Sequence, residues 1–104
     1  MSTLGGFMPM TKDSILKTIR MLFSDFNKRY SVLKIGLFGS FVKGTATNSS
    51  DIDILVEFRE PTFDHYMDLK FQLEDKFQRK VDLVTTNSLK KRIRPIVESE
   101  VVYA

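Results

Sequence analysis

From Thr11 onward, Ile15, Leu16, Ile19, Leu22, Phe23 and Phe26 recur at steps of three and four, the period of one buried helical stripe. Thr11 or Asp13 caps this helix, which is predicted to end near Lys28. Ser31 to Phe38 is dense in Val, Leu, Ile and Phe and stops at Gly39-Ser40, so it reads as a first strand. The Gly, Ser, Thr and Asn of residues 39–50 predict a short helix over Ser40 to Lys43 and then an open loop. A second strand runs from Asp51 to Phe58, bounded by Pro61. Thr62 or Asp64 caps the next helix, with Phe63, Tyr66, Met67, Phe71, Leu73 and Phe77 as apolar anchors and Arg79 and Lys80 closing it. Val81 to Thr85 is a short third strand, Asn87 or Ser88 caps a basic helix through about Arg94, and Val101-Val102-Tyr103 forms a last edge strand.

This order predicts an α+β fold: a small mixed β-sheet with helices packed on one face, the other left to carry a site. Residues 1–10, with two glycines, a proline and no period, read as a loose leader. Residues 11–104 read as one domain, because a chain of 104 residues with 42% hydrophobic content builds one core and is too short for two. Cysteine is absent, and no apolar run is long enough to span a bilayer. A disulfide scaffold, a zinc-thiolate site, a secretory signal and a membrane span are therefore not expected, and the cytoplasm is the expected location. The net charge of +3 suits a polyanion or a triphosphate equally well. Lys90-Lys91-Arg92-Ile93-Arg94 reads as the solvated face of the last helix. Direct nucleic-acid binding is not expected, since neither zinc-finger spacing nor an aromatic-basic ribonucleoprotein signature accompanies it.

The stretch richest in chemistry is Gly39 to Asp53, where one strand runs into Gly-Ser and the next opens with two carboxylates. Residues two apart in a strand share a face, so Asp51 and Asp53 project together while Ile52, Ile54, Val56 and Phe58 fill the other side. Like charges held that close call for a cation. All-oxygen donors, no cysteine and a single histidine favour magnesium, which keeps water and takes phosphate oxygens into its shell. Asp82, between Val81 and Leu83, is a carboxylate inside an apolar strand. If that strand lies beside the second, Asp82 joins Asp51 and Asp53 around two ions and also accepts the proton of an attacking hydroxyl. Gly39 lets the backbone approach a phosphate, Ser40 adds a hydroxyl and an N–H, and Lys43 is placed to reach the β- or γ-phosphate.

Gly39-Ser40, ten residues, then Asp51-Ile52-Asp53 resembles the signature of the DNA polymerase β-like nucleotidyltransferase superfamily. At average residue usage that pattern arises by chance in roughly one chain of this length in a thousand, and two flanking strands with a third carboxylate make it rarer. The length, with Ser40 to Val56 and Lys80 to Thr85, is similar to the minimal nucleotidyltransferases, a likeness that covers Thr11 to Tyr103. The resemblance implies that Gly39-Ser40 binds the triphosphate and that Asp51, Asp53 and Asp82 bind magnesium ions. It also implies transfer of AMP from ATP to a tyrosine of a helical HEPN ribonuclease toxin, which makes the chain an antitoxin. Members of the family often carry Arg where this chain has Lys43, which keeps the charge and loses bidentate phosphate geometry.

Plainer readings stand beside these. Asp51 and Asp53 at a strand end need no metal if exposed, Asp82 could pair with Lys80 or Arg79, and Gly39-Ser40 is ordinary turn chemistry. Lys43 is either a phosphate ligand or a solvated lysine. His65 reads as a helix-surface residue and the Phe63, Tyr66, Phe71, Phe77 set as core or partner interface. Glu57 shares the face of the two aspartates and is a candidate for supporting them. Two other functions remain open: a binding-only antitoxin that occludes its partner, and transfer to a small molecule such as an aminoglycoside. The short chain leaves little for an acceptor pocket in the latter case.

Overall fold

A computed structural model describes residues 10–104, so the leader expected over residues 1–10 lies, apart from Met10, outside the described residues. Helix α1 spans Lys12–Tyr30 and is opened by Thr11, not Asp13. The Thr11 hydroxyl accepts the Ser14 N–H at 3.1 Å, and the Ser14 hydroxyl accepts the Thr11 N–H at 2.9 Å. Two otherwise orphaned donors are thereby satisfied reciprocally. The helix buries Ile15, Leu16, Ile19, Phe26 and Tyr30, and it runs past Lys28 until Ser31 turns left-handed at φ 57°. Ser31 is therefore a helix cap, and strand β1 begins one residue later, spanning Val32–Phe38. Its buried hydroxyl donates to the Glu60 carbonyl at 3.2 Å and accepts the Glu60 N–H at 3.1 Å, tying the first turn to the one after the second strand.

A four-residue helix α2, Ser40–Lys43, follows β1, and strand β2, Ile52–Phe58, returns antiparallel to it. Helix α3, Phe63–Phe77, is capped by Thr62 and crosses back so that strand β3, Val81–Thr85, runs parallel to β2. A two-residue strand β4, Val102–Tyr103, pairs antiparallel with the free edge of β1, giving the order β3-β2-β1-β4. The mixed sheet of an α+β fold is what the residue pattern predicts.

The main core lies between the sheet and the pair α1 and α3, where Ile52, Ile54, Val56, Val81 and Leu83 meet Ile15, Ile19, Phe26, Leu69, Leu73 and Phe77. The expected anchors of α3 need one correction. Leu69, Leu73 and Phe77 at steps of four form the buried stripe, and Phe71, two residues off that line, is turned about 200° away and is exposed. Phe63, in the first turn, is exposed as well.

A second correction concerns the C-terminal part. The basic helix expected from Asn87 or Ser88 through Arg94 is absent. Thr86–Ser88 forms a single 3₁₀ turn, Lys91 to Ile93 form another turn, and helix α4 spans Arg94–Glu100. Pro95 explains the difference: it fits the first turn of a helix, where its missing N–H has no partner to lose, whereas inside a helix that ran on from Ser88 its ring would clash with the preceding turn. The basic residues Lys90, Lys91 and Arg92 thus sit in an exposed turn. On the sheet face away from α1 and α3, Leu89 and Val97 bury Leu55, with Phe38, Val84 and Val101 around them. That patch covers part of the second face and leaves the N-terminal ends of β2 and β3 open.

Candidate active site

The site face is set by strand alternation. Ile52, Ile54 and Val81 point into the main core, so Asp53 and Asp82 point the other way. The two aspartates are register partners across the parallel β2–β3 pair, and neighbouring strands lie about 4.8 Å apart. Asp51 stands exposed one residue before β2. Asp53 senses both neighbours: burial first, then the charges of Asp82 and Asp51, push its carboxyl up to about 6, against a backbone hydrogen bond from Ser40 that pulls it down. The ion pair between Asp82 and Arg79 or Lys80 does not occur among the described residues.

Gly39 governs how close β1 comes to this cluster. It adopts φ 78°, ψ −149°, a region open essentially to glycine alone. A side chain there would run into the Asp53 carboxylate. The close approach that the sequence suggests for a phosphate is thus already needed for Asp53. The Gly39 carbonyl accepts the N–H groups of Val42 and Lys43 at 3.1 and 3.0 Å, which starts α2, and buried Phe41 anchors that short helix in the core.

Two residues at the site carry no local signal in the sequence. Arg79, between α3 and β3, sends one guanidinium nitrogen to the carbonyls of Thr47 and Ser50 at 3.2 and 3.0 Å and lies over the Phe41 ring at 5.4 Å. It fastens the loop that delivers Asp51 to the structure beneath it. Glu100, the last residue of α4, accepts the Gly39 N–H at 3.1 Å and pairs with Lys43 at 3.6 Å. Both act across more than 25 residues of chain, beyond the reach of any periodicity. Arg79→Ala is expected to lower stability by about 1–2 kcal/mol through the lost carbonyl bonds and ring stacking. Thermal melts read that loss directly.

Other candidates lie elsewhere. Glu57 is paired in register with Lys34 and sits four residues along β2 from Asp53, about 13 Å at strand rise. His65 Nδ1 is 2.7 Å from the Glu60 carbonyl and 3.2 Å from the Ser31 hydroxyl, and its ring stacks near Phe58. It braces a turn and does not meet the aspartates.

A family model described as a nucleotidyltransferase domain matches residues 19–104. The chain belongs to that family. Among curated relatives, the protein adenylyltransferase MntA of Thermococcus cleftensis is 44% identical over 80 residues, covering 76% of this chain and 81% of its own. Among solved structures, one named as a minimal nucleotidyltransferase superposes with TM-score 0.75 at 31% identity, covering 89% of this chain and 95% of that one. A toxin–antitoxin crystal structure with AMP-PNP superposes with TM-score 0.66 at 25% identity, over 90% of this chain and 72% of that one.

For a nucleotidyltransferase the donor set at this site suits a hard divalent cation. It is all oxygen, and Asp53 is a partly buried carboxylate whose raised pKa marks the want of positive charge. Among the described residues no three acidic or histidine side chains already converge on one point, so water and phosphate oxygens would complete the shell of such an ion. A pH dependence follows. The Asp53 carboxyl titrates near 6 when folded and near 3.8 when unfolded, so in the metal-free protein its contribution to stability grows as pH falls from 6 toward 4. A cation needs the ionised form, and below about pH 6 it competes with a proton. The rise in melting temperature on adding magnesium is expected to be clear at pH 7.5 and largely lost at pH 5. No helix among the described residues is long and apolar enough to cross a membrane.

Proposed function

We propose that this protein transfers AMP from ATP to a protein hydroxyl, a tyrosine of a helical HEPN toxin, and thereby acts as an antitoxin. The observation that carries this reading is the opposition of Asp53 and Asp82 across β2 and β3, with Asp51 beside them and the Gly39-Ser40 turn held against Asp53. The family supplies the reaction class, the MntA relative is named as a protein adenylyltransferase, and the structural neighbour is a toxin–antitoxin pair holding an ATP analogue. Residues 11–104 act in this reading as one unit.

In the reaction the acceptor oxygen attacks the α-phosphorus, a new P–O bond forms, the bond to the β-phosphate oxygen breaks, and pyrophosphate leaves with that electron pair. Asp51, Asp53 and Asp82 would hold magnesium, which neutralises charge on the phosphates and on the attacking and leaving oxygens. The chain's own groups do the rest. Gly39, with no side chain to block approach to the backbone, and the Ser40 hydroxyl meet the triphosphate, Lys43 offers a cation to its β- or γ-phosphate, and Asp82 takes the acceptor's proton. Arg79 keeps the loop before Asp51 in place.

The test is incubation of the purified protein with magnesium, ATP labelled at the α-phosphate and a lysate of its source cells, beside the Asp51→Ala/Asp53→Ala double variant. Label on one small protein, absent with the variant, supports the reading and identifies the acceptor. If the double variant still neutralises that partner in full, occlusion and not catalysis is the antitoxin activity.

A further inference from the structure

Glu100 is an anion already seated on groups that the proposed reaction assigns to the nucleotide. Its Oε1 accepts the Gly39 N–H at 3.1 Å, and its Oε2 lies 3.6 Å from the Lys43 ammonium. The two partners are held unequally. Glu100 is 21% exposed and anchored through the backbone of Gly39, whereas Lys43 is 58% exposed on a long flexible stem. The lysine is therefore the member free to leave, and a half-exposed ion pair is cheap to exchange. When Lys43 moves to a phosphate, the carboxylate stays behind, close to a polyanion and without its counter-charge. Its charge also reaches Asp53.

We propose that Glu100 is a placeholder anion that parks Lys43, weakens nucleotide binding and speeds release of the polyphosphate product. This inference rests on the nucleotidyl-transfer reading above. Glu100 thereby acts through Lys43 as a positioning residue, with a like-charge cost present only in the bound state. The side chain has two separable contacts, so a neutral isostere dissects them. In Glu100→Gln the amide oxygen still accepts the Gly39 N–H while the charge that holds Lys43 is gone.

The experiment measures binding of α,β-methylene-ATP with magnesium by calorimetry to the full chain and its variants. Glu100→Gln is expected to bind about three- to tenfold more tightly than the unaltered protein, a size set by a partly exposed charge pair. Glu100→Asp keeps the charge and is expected to stay within about twofold of the unaltered protein, so a gain confined to the neutral variant is an effect of charge. In a Lys43→Gln background the gain from Glu100→Gln is expected to shrink, because the parked group is no longer there and only the repulsion between Glu100 and the phosphates remains to be relieved. Binding by Glu100→Gln that is unchanged or weaker overturns the inference and leaves Glu100 as a support of the Gly39 turn. Failure of the unaltered protein and all variants to bind either α,β-methylene-ATP or α,β-methylene-GTP overturns the nucleotidyl-transfer reading itself, a different result.

Discussion

Asp53→Asn is expected to abolish nucleotidyl transfer while raising the melting temperature of the metal-free protein at pH 7.5. The two effects share one cause. Asp53 is the carboxylate that burial, Asp82 and Asp51 together make most reluctant to ionise. An uncharged amide of the same shape removes that repulsion, and its oxygen still accepts the backbone hydrogen bond from Ser40. The folded protein gains what the charge cost it. The same substitution withdraws the central donor of the candidate cation site, so transfer is expected to fall on the order of a thousandfold or more. The stability gain should shrink toward pH 5, where the native carboxyl is already protonated and the comparison is between two neutral groups. Melting curves at the two pH values and a labelled-ATP assay read both halves. A variant that melts no higher than the unaltered protein at pH 7.5 would show that the aspartates do not strain one another, and the electrostatic case for a bound cation would fail with it.

The aspartates are legible in the sequence because alternation along a strand is a local rule. Ile52, Ile54 and Val56 announce which face is core, and Asp53 must then point away. The placement of Asp82 opposite Asp53 needs one further premise, that β3 lies beside β2, and the crossover through α3 supplies it. Capping is half legible: Thr11 and Asp13 are both good caps, and the reciprocal bond with Ser14 selects Thr11.

What the sequence hides is decided by contacts far apart in the chain or by the phase of a short pattern. In α3 the aromatic residues outnumber the leucines, yet the buried line runs through Leu69, Leu73 and Phe77, and Phe71 is left in solvent. Aromatic content marks apolar surface and says little about which way a helix is turned. The basic stretch before Pro95 has a helical composition, and a single proline moves the helix start to Arg94. That shift sends Glu100 to the Gly39 turn 61 residues away. Arg79 reads as the end of a helix and is the clamp on the loop before Asp51. Neither contact has a periodic trace, since each joins elements that meet only after the sheet has closed.

Gly39→Ala is expected to be nearly as damaging to activity as loss of Asp53, and damaging to stability as well. Two independent penalties fall on it. The backbone conformation at φ 78°, ψ −149° is one that alanine resists, at a cost of about 1–3 kcal/mol. The added methyl would also occupy the space of the Asp53 carboxylate. To relieve that overlap the carboxylate must swing out, losing the Ser40 N–H and its alignment with Asp82, and transfer is expected to fall about a hundredfold or more for a displacement of that size. Gly44→Ala separates the two penalties. Gly44 is also left-handed, at φ 80°, but a methyl there meets nothing within 4 Å, so only the backbone cost of about 1 kcal/mol applies and transfer is expected to change little. Combining Gly39→Ala with Asp53→Ala isolates the steric part. With the carboxylate gone, the methyl has lost its nearest obstacle, and the stability cost of Gly39→Ala measured in that background should be smaller than in the unaltered protein. Equal costs in both backgrounds would mean that the backbone, and not the packing of Gly39 on Asp53, is what forbids a side chain at that position.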